Sequence, residues 1–128
     1  MGVASCTADL GTVARHRGDM ERAADFYRQA LALYSAIGHR RGVARILELM
    51  SVLAAGLGAS ERALTLSSAA ARFRENIGVP GPISEQRELS SAVEVASSKL
   101  TSGVADAARR RGYAMSLTEA IRYAESQV

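Results

Sequence analysis

The chain has 128 residues, 48% hydrophobic and 23% charged, with a net charge of +3 and a single cysteine. That balance excludes a disordered chain and allows one domain with its own core, and the lone Cys6 excludes an intrachain disulfide. No apolar run approaches the roughly 20 residues of a membrane span, and no signal peptide is expected.

Helical periodicity begins at once. Val3, Cys6, Leu10 and Val13 recur at steps of three and four, so a first helix is expected over 3–17, with Cys6 a buried thiol on its apolar stripe. After Gly18, Asp19 is a natural N-cap, and Met20, Ala23, Tyr27, Ala30, Tyr34 and Ile37 form the stripe of a helix over 19–37. Beyond Gly38 the same steps run through Val43, Ile46, Met50, Leu53 and Leu57, giving a third helix over 40–57. Gly58 ends it and Ser60 is expected to cap a fourth helix over 60–77, striped by Ala63, Leu66, Ala70, Phe73 and Ile77. Period-two alternation never persists, so no strands are expected.

These four helices are one unit written twice. Gly18 to Gly38 reappears as Gly58 to Gly78 at a constant offset of 40 residues, with Glu21/Glu61, Arg22/Arg62, Ala23/Ala63, Ala30/Ala70, Ile37/Ile77 and Gly38/Gly78 coinciding. A fixed period of this size signals stacked helical hairpins that cannot bury their apolar faces alone. Ala23, Ala30, Ala63 and Ala70 are expected where helices approach most closely, with Tyr27, Tyr34 and Phe73 filling the wider gaps.

The segment Gly78-Val79-Pro80-Gly81-Pro82 cannot continue a helix and marks the clearest loop. Past it, Leu89, Val93, Ala96 and Leu100 stripe a helix over 83–101, and another is expected over 103–111. Arg109, Arg110 and Arg111 read as cations at a helix C-terminus, with a nucleic-acid contact as the alternative. Ser116-Leu117-Thr118-Glu119 is a capping box opening a last helix over 117–126, with Met115 and Ala120 placed as a hydrophobic staple. The expectation is a single all-α domain: repeat one over 1–38, repeat two over 39–78 and a C-terminal cap over 79–128.

Leu10-Gly11, Ala14, Ala23, Tyr27 and Ala30 have the spacing of the tetratricopeptide repeat, which the chain therefore resembles. Met50-Ser51, Ala54, Ala63, Ser67 and Ala70 hold the same places in a more divergent second unit. The period exceeds the usual value of about 34 because the second helices run on to Ile37-Gly38 and Ile77-Gly78. The longer form, with Gly112, Ala114, Met115, Ser116 and Glu119 near the end, resembles the C-terminal helical region of large bacterial signalling ATPases and LuxR-type transcriptional regulators. That resemblance implies a non-catalytic sensor or interaction scaffold, the tail of a longer protein or a detached relative of one, and the single cysteine fits a reducing, cytoplasmic setting.

No constellation for catalysis is present. His16 and His39 flank turns and are expected to face solvent, lacking a third donor for a metal, and no serine lies in a nucleophile elbow. No GxxxxGK[ST] loop occurs, and no cofactor is expected. Helical-face pairs such as Asp9 with His16 and Glu85 with Glu88 are of the kind any solvated helix carries. Arginine supplies nearly all the positive charge, Lys99 being the only lysine, and is interleaved with acids rather than gathered on one face. This bias reads as the composition of a GC-rich bacterium.

The resemblance carries over a groove lined by the first helix of each pair: Ser5, Ala8, Thr12 and Arg15, then Arg45, Glu48, Val52 and Ala55. Of these, Thr12, Arg15, Arg45 and Glu48 are the candidate polar contacts for a protein or peptide partner, or for other domains of a parent regulator. A clamp for a peptide C-terminal carboxylate is not expected, because Ala8 and Thr12 stand where it would need Lys and Asn. A second possibility is homodimerisation, because the first helix lacks a polar cap and its edge through Val3, Cys6 and Leu10 could pair with another copy.

Overall fold

The computed structural model describes residues 2–126. Seven helices follow in order: α1 Gly2–His16, α2 Met20–Ala36, α3 Arg40–Gly56, α4 Ser60–Ile77, α5 Ile83–Ser98, α6 Ser102–Tyr113 and α7 Leu117–Glu125. No strand occurs among the described residues.

The turns are built by glycine. Gly18, Gly38, Gly58 and Gly78 all hold positive φ, between 65° and 83°, the left-handed geometry that reverses the chain at a helix end. Helix starts are less uniform. Asp19 accepts from the Arg22 N–H at 3.2 Å, and His39 Nδ1 accepts from the Gly42 N–H at 2.9 Å. The fourth helix departs from expectation: Ala59 holds the cap position without a side-chain bond, and Ser60 is the buried first residue of α4. Thr101 caps α6 through the Val104 N–H, which ends α5 three residues early.

α1 packs along α2 and α3 along α4, while α2 meets α3, so two hairpins stack in series. Ala23, Ala30, Ala63 and Ala70 are fully buried, and Tyr27 is buried with them. Two glycines set the close crossings. A Cβ on Gly11 would lie 2.6 Å from the Tyr27 ring, and one on Gly42 would strike the Tyr34 ring. Repeat two satisfies the first crossing differently. Ser51 and Ser67 stand at the positions of Gly11 and Tyr27, and Ser51 Oγ donates to the Ala63 carbonyl at 2.6 Å.

After Gly78 the hairpin pattern lapses. α5 packs on α3 and α4 but scarcely touches α6, which instead lies along α4. Gly112 permits that approach, since a Cβ there would run into the Thr65 carbonyl. The short α7 rests on α2, α3 and α4, burying Ala120 and Ala124 against the main core. Its capping box is complete: Ser116 Oγ accepts from the Glu119 N–H at 3.1 Å, and Glu119 accepts from the Ser116 N–H at 2.8 Å. Those bonds to Ser116 hold the Glu119 carboxyl below its ordinary pKa. At the other end of α7, Arg62 donates to the Tyr123 and Ala124 carbonyls at 3.0 and 2.7 Å. Burial lowers the pKa of this guanidinium.

The first helix differs most from its sequence reading. Its buried residues are Ala4, Ala8, Gly11, Ala14 and Arg15, while Val3, Cys6, Leu10 and Val13 are exposed. Cys6 is therefore not a buried thiol. Small residues face α2 because the helices pack closely there, so the large apolar side chains point away.

Candidate functional site

Two surfaces could meet a partner. The first is the face of α1 and α3 that the repeat resemblance assigned to a groove. Ser5 is half-buried, Ala8 is fully buried, and Thr12 is half-buried with its hydroxyl 2.9 Å from the Tyr27 phenol. In α3, Val52 is half-buried and Ala55 is buried in a second cluster with residues of α4, α5 and α6. The structure thus leaves Ala8 and Ala55 inside the fold.

The charged candidates Arg15, Arg45 and Glu48 are brought together by α5. Arg15 donates from Nη1 and Nη2 to the two oxygens of Glu88 at 3.0 and 2.9 Å, and from Nε to the Tyr27 phenol at 3.2 Å. Burial disfavours its charge, yet the bonds from Glu88 and Tyr27 outweigh this and raise its pKa. Arg45 donates to both oxygens of Glu85 and to Asp9, and the Glu85 bonds raise its pKa further. Glu48 accepts from Arg74 at 3.1 and 2.8 Å and from Gln86 at 3.1 Å.

Glu85, Gln86 and Glu88 all lie on one turn of α5, so this single turn engages α1, α3 and, through Glu48, α4. Glu85 and Glu88 are accordingly ion-pair partners and not a free solvated pair. His16 is exposed as expected, its Nε2 lying 3.4 Å from Glu88, whereas His39 is half-buried, caps α3 and stacks on Tyr34 with ring centroids 5.0 Å apart. Sequence reasoning missed α5 here, because its partners stand 38 to 73 residues away.

The arginines of α6 are largely occupied as well. Arg109 reaches Ser97 Oγ at 2.6 Å, and Arg111 lies 5.1 Å over the Tyr123 ring. Arg72 from α4 bonds the Tyr113 carbonyl and covers its ring. Arg72, Arg109 and Arg110 rim a shallow hollow, and the nearby Tyr113 phenol donates to Glu75, which raises the phenol's pKa.

The second surface is the open edge of the first hairpin. Every apolar position of the α1 stripe has a repeat-two equivalent that is buried. Val3 is 70% exposed and Val43 1%; Leu10 is 52% exposed and Met50 4%. Cys6 and Val13 are exposed where Ile46 and Leu53 are buried. On α2, Leu33 is exposed and Phe26 half-buried where Phe73 and Leu66 are enclosed. The reason is the neighbour. Met50 and Leu53 border Met20 and Ala24 of α2, and Phe73 borders Met115 and Leu117 at the head of α7, whereas no helix among the described residues covers the Val3–Val13 face of α1.

Such a contiguous apolar patch marks an interaction surface. Asp9, beside the stripe, is bonded to Arg45, and the exposed Arg17 continues the stripe four residues beyond Val13.

Among the described residues, no group of three or more His, Cys, Asp or Glu side chains could hold a metal, and no helix is long and apolar enough to cross a membrane. A family model described as tetratricopeptide repeat matches residues 3–76. No curated protein and no solved structure matches the chain.

Proposed function

Because the chain belongs to the tetratricopeptide repeat family, whose repeats generally act as non-catalytic protein-interaction scaffolds, we propose that it is a docking scaffold working through the open edge of α1 and α2. The observation that carries this reading is the change of exposure between equivalent residues. Apolar positions that meet neighbouring helices in repeat two are held in repeat one by apolar side chains that are exposed among the described residues. The same chemistry that holds the stack together is thus left available for a partner.

The groove candidates take a different part. Arg15, Arg45 and Glu48 hold α5 in place, and Thr12 supports Tyr27, so these residues set the shape of the scaffold. The segment Gly112 to Glu119 supports a place in the C-terminal helical region of a bacterial transcriptional or signalling regulator. There the scaffold would restrain an attached module in the cytoplasm, where Cys6 stays reduced.

Cys6 provides the test, being exposed within the edge and the only cysteine. A photoactivatable cross-linker on Cys6, triggered in cells of the source organism, should give a discrete protein adduct that Leu10→Glu abolishes. Labelled protein that cross-links to nothing, or equally well with Leu10→Glu, would contradict a docking edge.

A further inference from the structure

We propose that the end of α4 and the turn between α6 and α7 form a binding site for a small organic anion, one with a compact apolar body and a carboxylate or phosphate head. No residue of α1 or α2 lines it, so it is separate from the docking edge.

The site is two hollows with a common wall. The first is a cavity of about 270 Å³ with an apolar floor, made by Phe73 and Ile77 of α4 and by Met115 and Leu117 at the head of α7. Phe73 is buried and the other three are half-buried. Arg40, the first residue of α3, stands at the rim. Arg72 and Asn76 line both this cavity and the shallower hollow that Arg109 and Arg110 border. Local structure puts them there. Arg72 and Asn76 are four residues apart and share one face of α4, while Arg109 and Arg110 lie in the last turns of α6, where the helix dipole favours cations.

Charge decides what the site can hold. No carboxylate lines either hollow. The nearby acids are engaged: Glu75 accepts from the Tyr113 phenol at 2.7 Å, and Glu119 accepts from the Ser116 N–H at 2.8 Å. Arg40 and Arg110 are exposed and form no ion pair among the described residues. Arg72 is held in place, donating from Nη1 to the Tyr113 carbonyl at 2.7 Å and lying 5.5 Å over the Tyr113 ring. That bond uses one of five guanidinium donors and leaves the charge uncompensated. An anion therefore meets a cation that needs little further ordering.

The apolar floor sets the other half of the ligand. A bare inorganic ion would leave Phe73 and Leu117 facing water, whereas a ring or short aliphatic chain would cover them. A nucleic acid fits less well, because Asp106 and Glu75 stand beside the arginines and interrupt the basic surface. Because the cavity spans α4 and the head of α7, a molecule bound in it ties α7 to the hairpins.

Anilinonaphthalene sulfonate, an aromatic anion that fluoresces in apolar surroundings, tests this on the purified full chain. One molecule should bind per chain, and hexanoate or phenyl phosphate should displace it, the better competitor identifying the head group. Uncharged phenylnaphthylamine should bind at least about tenfold more weakly. Arg40→Gln and Arg72→Gln, with folding verified by circular dichroism, should each weaken the sulfonate at least about threefold. Arg40 has no ion pair to lose, so its variant remains decisive if Arg72→Gln loosens the Tyr113 turn. Leu10→Glu should leave binding unchanged, and bound probe should slow amide exchange over 117–125 more than in α1. No binding, binding that Arg40→Gln leaves intact, equal binding of the uncharged compound, or displacement by neither competitor would overturn the proposal. Binding lost with Leu10→Glu would also overturn it, by placing the probe on the docking edge, whose own cross-linking test is independent of this site.

Discussion

Gly11 and Tyr27 occupy one volume: the Tyr27 ring lies where a Gly11 side chain would begin, a Cβ there falling 2.6 Å from its edge. The ring is fully buried and its phenol bonds Thr12 and Arg15, so it has little freedom to move. Gly11→Ala should therefore lower stability by about 1–3 kcal/mol despite alanine's better helix propensity. Gly103 in α6 meets nothing within 4 Å, and Gly103→Ala should be neutral or stabilising by up to about 1 kcal/mol. Urea midpoints of the two variants check the pair, and opposite signs are expected.

Ala23 gives the corresponding result at the helix crossing in the second helix. It is fully buried in the main core, and Ala23→Leu should overpack it at a cost of about 1–3 kcal/mol. An unchanged urea midpoint would contradict close packing on this face.

The Arg15–Glu88 pair predicts a pH dependence. Its bonds, chiefly those from Arg15, lower the Glu88 pKa in the folded chain. Folding is thus favoured by the ionised carboxylate above the unfolded value of about 4.3, and that gain fades as pH falls through the lower folded value. Glu88→Gln leaves a nearly buried guanidinium without its anion, at a cost of about 1–3 kcal/mol at pH 7. The stability difference from the parent chain should be constant above about pH 5 and shrink in acid. A difference that grows below pH 4 would contradict it.

α7 is fastened at both ends, by the Ser116–Glu119 box and by Arg62 on its last carbonyls. Ser116→Ala should cost about 1 kcal/mol through loss of the cap. Arg62→Met should open α7 before the hairpins, seen as faster amide exchange over 117–125 with little change in α1–α4. Uniform acceleration across the chain would show that α7 is not a separate unit.

How much of this was legible in the sequence follows from which physics is local. The four turn glycines, Asp19 and the Ser116 box act through bonds within a few residues, and each was readable. The 40-residue period gave the stack, since repetition is visible without knowing any contact. Periodicity cannot say which side of a helix has a neighbour. The α1 stripe reads like the α3 stripe, yet Val3, Cys6, Leu10 and Val13 lie outside because small residues fill the contact with α2. The clue was the paired change from Gly11 and Tyr27 to Ser51 and Ser67, which marks the inward face by compensation across a contact. The ion pairs of α5 carry no such signal, since Glu85 and Glu88 look like any exposed acids until the fold sets them beside Arg45 and Arg15.

The central claim is that one register position is open in repeat one and closed in repeat two, and thiol reactivity reads it directly. Cys6 in the parent chain is compared with Ile46→Cys in a Cys6→Ser background, at the same protein concentration. Circular dichroism first verifies that both are folded. The account predicts that Cys6 reacts with a fluorescent maleimide at close to the rate of an unfolded peptide, and that the thiol at position 46 reacts at least about 100-fold more slowly, limited by local opening. Equal rates at the two positions would contradict it.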